Sequence, residues 1–182
     1  MRRPRRAVPA VAGLLLAGRD VVHVVASPME RARQTAEPVA KEFGLDVAID
    51  DRVTEAENVF QGRRVHTRDV VADPRLWRYL RDPFRPSWGE PYARVVLRMY
   101  AAVELAREAA RGHEAVLVSH QLPIWVARLS AENRHLWHDP RRRQCSLASV
   151  TSFTYEGARL VSIAYAEPAA DLLPQASPVP GA

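Results

Sequence analysis

"VVASPMERARQTAEPVA", residues 24–40, decides how this chain is read. An apolar run that begins at Val21 ends abruptly at Ser27-Pro28, and a charged segment of helical character follows at once. Six mostly β-branched residues with apolar side chains on both faces predict a strand over Val21–Ala26, of the kind found in parallel sheets covered on both sides. The next segment predicts a helix from Glu30 to Phe43, with Gly44 as its stop signal. Arg31 therefore falls in the first turn of a helix that leaves the carboxyl end of a buried strand.

Outward from this stretch the pattern repeats. Residues 7–17 read as the last turns of a helix stopped by Gly18, and "LDVAID", Leu45 to Asp50, as a second strand. Pro91 to Arg111 reads as a long helix stopped by Gly112. "HEAVLVSH", His113 to His120, reads as a buried strand ending in a histidine, and "LPIWVARL" opens the next helix. "LASVTSFTYEG" and "RLVSIAYAE" predict a hairpin of edge strands joined at Glu156-Gly157. Residues 51–92, rich in Arg, Pro and Trp, read as an excursion with short helices over one end of the sheet. The order of elements predicts a three-layer α/β/α sandwich. Ligands in such sheets bind beyond the carboxyl ends of the strands. Ser27-Pro28-x-x-Arg31 and Ser119-His120 both lie there, delivered by two independent strands.

Composition sets the outer bounds. The chain has 182 residues, 47% hydrophobic and 26% charged, the balance of one ordinary globular domain with a real core. The domain is expected over residues 1–167, with a Pro/Ala-rich disordered tail over 168–182. Cys145 is the single cysteine, which excludes an intramolecular disulfide and a cysteine zinc cluster. The net charge of +5 is largely local, because four arginines sit in "RRPRR" at the start. A solvated terminus is favoured over a nucleic-acid or membrane contact. The start also resembles a signal peptide, but Pro9 and Gly13 interrupt it and it runs on into a turn and a strand. A cytoplasmic protein is expected. No stretch approaches the roughly 20 apolar residues of a membrane span.

The polar groups at the strand ends suit anion chemistry. The Arg31 guanidinium offers a planar fork of donors, and the helix start adds free N–H groups and a positive dipole end. Alternatively, Arg31 is a surface residue paired with Glu30 or Glu37. His120 can donate to a phosphoryl oxygen or act as acid, base or nucleophile. Its structural alternative is a core histidine bonded to a backbone carbonyl. Glu55 and Glu57 follow the second strand, where a carboxyl near a phosphate could protonate a leaving oxygen; either could equally be a solvated loop acid. Glu90 has a weaker case of the same kind. The basic run Trp137 to Cys145 reads as a solvated loop, with phosphate contact as the minor alternative.

Three motifs together resemble the histidine phosphatase superfamily, the group that contains cofactor-dependent phosphoglycerate mutase. "SPMERARQTAEPVA" resembles the Ser-Pro-Leu-x-Arg-x-x-Gln-Thr-Ala segment, with Met29 in the leucine place. "DDRVTEAENVFQG" resembles Leu-x-Glu…Glu-Gly, with Val53 for Leu and Gln61 for Glu. "VLVSHQLPI" resembles Val-Ser-His-Gly, with Gln121 for Gly. The resemblance runs from about Val21 to Glu167. It implies a phosphoglycerate mutase-like fold and a phosphatase-type hydrolase of small phosphomonoesters, working without metal or cofactor through a phosphohistidine. Arg31 is implied to bind the phosphoryl group, His120 to hydrogen-bond its oxygens, Glu55 rather than Glu57 to be the acid, and Gln121 to line the pocket. The partner implied is a small phosphorylated metabolite, with neither nucleic acid nor membrane.

One element of the family pattern is missing. The superfamily's first strand ends in Arg-His-Gly, whose histidine becomes phosphorylated, and that triplet occurs nowhere in this sequence. The chain reads as beginning roughly 30 to 40 residues late, by about one strand, a loop and part of a helix. The missing strand is central in the family, so its absence is expected to leave unpaired backbone edges beside a gap. The chain as written is expected to lack turnover, its alternative role being a non-catalytic phosphate-ligand binding or regulatory module.

Overall fold

A computed structural model of the chain describes residues 16, 18–56, 89–139 and 142–170. Three short strands run parallel: β1 (Val21–Ala26), β2 (Val47–Ile49) and β3 (Glu114–Val118), in the order β2-β1-β3. The register aligns Ala26 with Ile49 on one side and with Val118 on the other. The ladder extends past the strands, since Ser27 N–H donates to Val118 O and Asp50 N–H donates to Ala26 O. All three strands therefore end at the same edge, and the residues that follow them converge there.

Both faces of β1 are covered, as its apolar run requires. Val24 and Ala26 pack with Ala36, Val39 and Ala40 of α1 (Glu30–Glu42). Val25 faces the other way, into a cluster with Val95, Met99, Ala102 and Ala106 of α2 (Tyr92–Ala109) and Val126 and Ala127 of α3 (Gln121–Ala131). The architecture is the expected α/β/α sandwich. Helix α1 ends in a Schellman arrangement: Leu45 N–H donates to Ala40 O and Gly44 N–H to Lys41 O, with Gly44 at φ 66°.

The hairpin forms as expected, β4 (Val150–Glu156) against β5 (Arg159–Ala166). It is not, however, an edge of the parallel sheet. Among the described residues β4 and β5 make a separate two-stranded sheet, and the outer side of β3 has no strand partner. This alters a second expectation. "HEAVLVSH" predicts a buried strand, yet all five residues of β3 are half-buried, while four of the six in β1 are buried. A parallel strand is buried most fully when it is flanked on both sides, and among the described residues β3 is flanked on one.

The second strand spans three residues rather than six, because Leu45 belongs to the close of α1 and Asp50 to a cap. The Asp50 carboxylate accepts from Arg52 N–H at 2.9 Å and nucleates a 3₁₀ turn over Asp51–Val53. Apart from Leu16, the expected helix over residues 7–17 lies outside the described residues, as do the bulk of the 51–92 excursion, Glu57, Gln61 and the tail beyond residue 170. Among those described, no helix is long and apolar enough to cross a membrane.

Candidate active site

At the carboxyl edge of the sheet the structure brings together Ser27 after β1, Thr54 and Glu55 after the 3₁₀ turn, His120 after β3, and Arg31 from the first turn of α1. Hydrogen-bond roles follow from what each group can do. Arg31 Nε can only donate, and it lies 3.2 Å from His120 Nδ1, so Nδ1 is the acceptor. The ring proton is then on Nε2, which donates to Ser27 Oγ at 2.9 Å. Met29 N–H also donates to Ser27 Oγ, at 3.3 Å. With both acceptor positions filled, the Ser27 hydroxyl donates to Thr54 Oγ1 at 3.3 Å. Ser27 is fully buried, so this saturation is a requirement of its position.

His120 is itself 6% exposed. Burial, together with the positive charges of Arg31 and Arg98, pushes its pKa down to about 4. It is therefore neutral at pH 7, and its 3.9 Å approach to Glu55 Oε2 is not an ion pair. Glu55 Oε2 also lies 3.7 Å from the Arg31 guanidinium. Burial raises the Glu55 carboxyl above its ordinary value, against the opposing pull of Ala56 N–H and of Arg31, Arg143 and Arg98. A raised carboxyl pKa is the direction of shift that a general acid needs. The Arg31 side chain is 59% exposed, so solvent reaches it.

The scaffold fixes these groups from behind. Ser119 Oγ donates to Val53 O at 2.6 Å and ties β3 to the turn that carries Glu55. Arg98 of α2 donates to Arg52 O on the same turn, and its fork is held by Glu90 at 3.0 Å. Two helices, α1 and α3, start at this edge, and the N–H groups of a first helical turn favour an anion. Among the described residues no cluster of His, Cys, Asp or Glu is arranged to hold a metal ion.

The sequence-predicted residues fare unequally. Arg31, His120 and Glu55 meet. Gln121, the first residue of α3, donates from Nε2 to Cys145 O at 3.2 Å beside His120. Arg31 does not pair with Glu30, which instead accepts from Gln34. His120 does not bond a backbone carbonyl. Glu90 is occupied by Arg98. Sequence reasoning passed over Ser27 and Thr54 as site residues, although the Ser-Pro segment contains the first. Arg143 was read within a solvated loop, yet it lies close enough to act on Glu55.

The model of the histidine phosphatase superfamily (branch 1) matches residues 5–167. This chain belongs to that superfamily. Uncharacterized protein Rv0525 of Mycobacterium tuberculosis is 54% identical over 156 residues, 85% of this chain and 77% of that protein. A protein named "Probable phosphoglycerate mutase GpmB" in Photorhabdus laumondii is 28% identical over 138 residues, 72% of this chain but 63% of its own length. Among solved structures, YhfR of Bacillus stearothermophilus superposes with a TM-score of 0.67 at 22% identity, covering 86% of this chain and 79% of that one. The structural likeness extends the phosphoglycerate mutase-like fold to this chain. Superfamily membership suggests phosphatase or mutase activity.

Proposed function

We propose that this edge is a phosphomonoester site, and that the activity it serves is phosphatase-type hydrolysis of a small phosphorylated metabolite through a phosphohistidine. The observation that carries the reading is the convergence of Arg31, His120 and Glu55 from three separate elements. In this reading Arg31 and the first-turn N–H groups of α1 bind the phosphoryl oxygens. Neutral His120 gives up its Ser27 contact to donate from Nε2 to one of them. Glu55 protonates the leaving alcohol oxygen as a histidine nitrogen takes the phosphoryl group, and water then releases inorganic phosphate.

We assign none of the 182 residues to the role of nucleophile. No Arg-His-Gly triplet is present in the 182 residues. His23 stands on β1 four residues before Ser27, about 13 Å away along a strand. We therefore propose that this chain binds phosphomonoesters and does not turn them over, which favours a binding or regulatory role for the chain as it stands. Calorimetry with inorganic phosphate should show saturable binding to the full chain that Arg31→Gln weakens by about tenfold or more. A p-nitrophenyl phosphate assay should show no hydrolysis above background. Turnover that disappears in His120→Ala would overturn the inactive reading, and absence of any phosphate binding would overturn the site.

A further inference from the structure

Helix α2 has an apolar face that the core does not use. Val95, Val96, Met99, Ala102 and Ala106 are buried and turn inwards. Eight other positions of the helix are exposed, and five of these are apolar: Ala93, Leu97, Ala101, Leu105 and Ala109. A surface helix ordinarily carries polar side chains on its outer face. Helix α1 does so, since every exposed position from Glu30 to Glu42 is charged or an amide. On α2, by contrast, Leu97 is 70% exposed and Leu105 54%.

The five apolar residues recur at every fourth position, so they form one ridge about 24 Å long. Ala101 stands at its middle, with a leucine four residues to either side and an alanine eight residues to either side. Charges share this face. Arg94 and Glu108 stand seven residues before and after Ala101, each within about 20° of it around the helix. Their order runs against the helix dipole, which favours an acid at the start of a helix. The first turn of α2 holds Arg94 and no acid. Among the described residues the ion-paired arginines of α2 are Arg98 and Arg107, not Arg94.

This arrangement is self-complementary when the helix meets a copy of itself running the other way. We propose that the outer face of α2 is a self-association surface, on which a second copy of this chain packs its own α2 antiparallel about a two-fold axis at Ala101. Leu97 then lies against the partner's Leu105, Ala93 lies against the partner's Ala109, and Arg94 faces the partner's Glu108. Each contact occurs twice, as an isologous interface requires. The small side chain at the centre lets the helices approach to about 8 Å. Helix α2 starts beside the turn that Arg98 grips through Arg52 O, at the carboxyl edge of the sheet. The antiparallel pair therefore sets the two candidate sites at opposite ends of the dimer. A contact through one helix is smaller than the roughly 800 Å² per partner of a standard interface, so half-dissociation is expected at roughly 100 μM.

The test is sedimentation equilibrium of the full chain at low salt, from about 5 μM to about 1 mM. The unaltered chain should pass from monomer to dimer across that range. Leu97→Asp should weaken the dimer about tenfold or more, because it places a carboxylate in the ridge twice. Arg94→Glu and Glu108→Arg should each weaken it about tenfold, by setting like charges opposite each other at two places. Glu108→Arg also removes the ion pairs with Arg107 and Arg111 inside one helix, so the double variant decides. Arg94→Glu with Glu108→Arg restores opposite charges across the axis and should return the affinity to within about threefold of the unaltered chain. Oxidative cross-linking reads the register directly. Ala101→Cys meets its own copy and should form a disulfide dimer, whereas Ala93→Cys faces the partner's Ala109 and should not. Cys145 is buried and stays out of the reaction. A chain that remains monomeric to about 1 mM would overturn the proposal. A dimer that ignores Leu97→Asp, or that the double variant does not restore, places the interface elsewhere and overturns it too. Equal cross-linking of Ala93→Cys and Ala101→Cys would mean parallel or random encounters and overturn the antiparallel register.

Discussion

His120 carries one ring proton, and its neighbours decide which nitrogen holds it. Arg31 requires an acceptor at Nδ1, so the proton faces Ser27 from Nε2. Nε2–H is the donor that a phosphoryl oxygen would claim, so the resting contact with Ser27 keeps the histidine ready without charging it. That neutral state has a consequence for stability. Burial and nearby arginines lower the folded-state pKa to about 4 from an ordinary 6.5. The unfolded chain therefore binds the proton more readily, and the stabilising contribution, full above pH 6.5, is lost as pH falls towards 4. Glu55 works in the opposite sense, since its raised pKa makes the folded state lose stability as pH rises through it. His120→Gln separates the two. The urea midpoint of the unaltered chain should fall more steeply between pH 6.5 and 4 than that of the variant. Parallel pH profiles would mean that His120 titrates normally.

At the level of elements, what was legible in the sequence is what local chemistry fixes. The β1 run, the glycine stop after α1 and the Gly157 turn each announce themselves through periodicity or through a positive φ, and each lies within a residue or two of its expected place. What was not legible needed partners distant in sequence. The tautomer of His120 depends on Arg31, 89 positions away. Arg143 reads as a loop arginine until His138 and Gln121 are folded beside it. The glycine signal itself can be tested at Gly44. A Cβ there meets nothing within 4 Å, so Gly44→Ala introduces backbone strain at φ 66° without a clash. The expected cost is about 1 kcal/mol, read as a lower urea midpoint. Gly44 caps the far end of a 13-residue helix, about 20 Å from Arg31 along the axis. Phosphate affinity should therefore stay unchanged. A loss of affinity would show that the whole length of α1, and not only its first turn, positions the anion site.

Among the described residues the molecule carries a three-stranded parallel sheet and a separate two-stranded hairpin. Among them β3 ends the parallel sheet, and the β4–β5 hairpin stands apart from it. The hairpin is still tethered, through Arg107, which donates to Gly157 O, and through Arg128, whose guanidinium lies 5.1 Å from the Tyr165 ring centre. Those contacts hold its side chains and add no partner, among the described residues, to the outer edge of β3. Unpaired N–H and C=O groups exchange with water, and they also invite another strand. Hydrogen exchange separates an open edge from a closed one. In β1, Val24 and Ala26 are fully buried and the strand is paired on both sides, so its amides should exchange slowest, near the rate of global unfolding. In β3 the amides should split into two classes. Those directed at β1 should be protected, and the alternate ones directed outwards should exchange orders of magnitude faster, because strand N–H groups point to the two sides in turn. Uniform slow exchange across Glu114–Val118 would show the outer edge of β3 to be paired in solution. Repeating the measurement over a range of protein concentration then identifies the partner: protection that grows with concentration means a second copy supplies the strand, and protection independent of it means the same chain does.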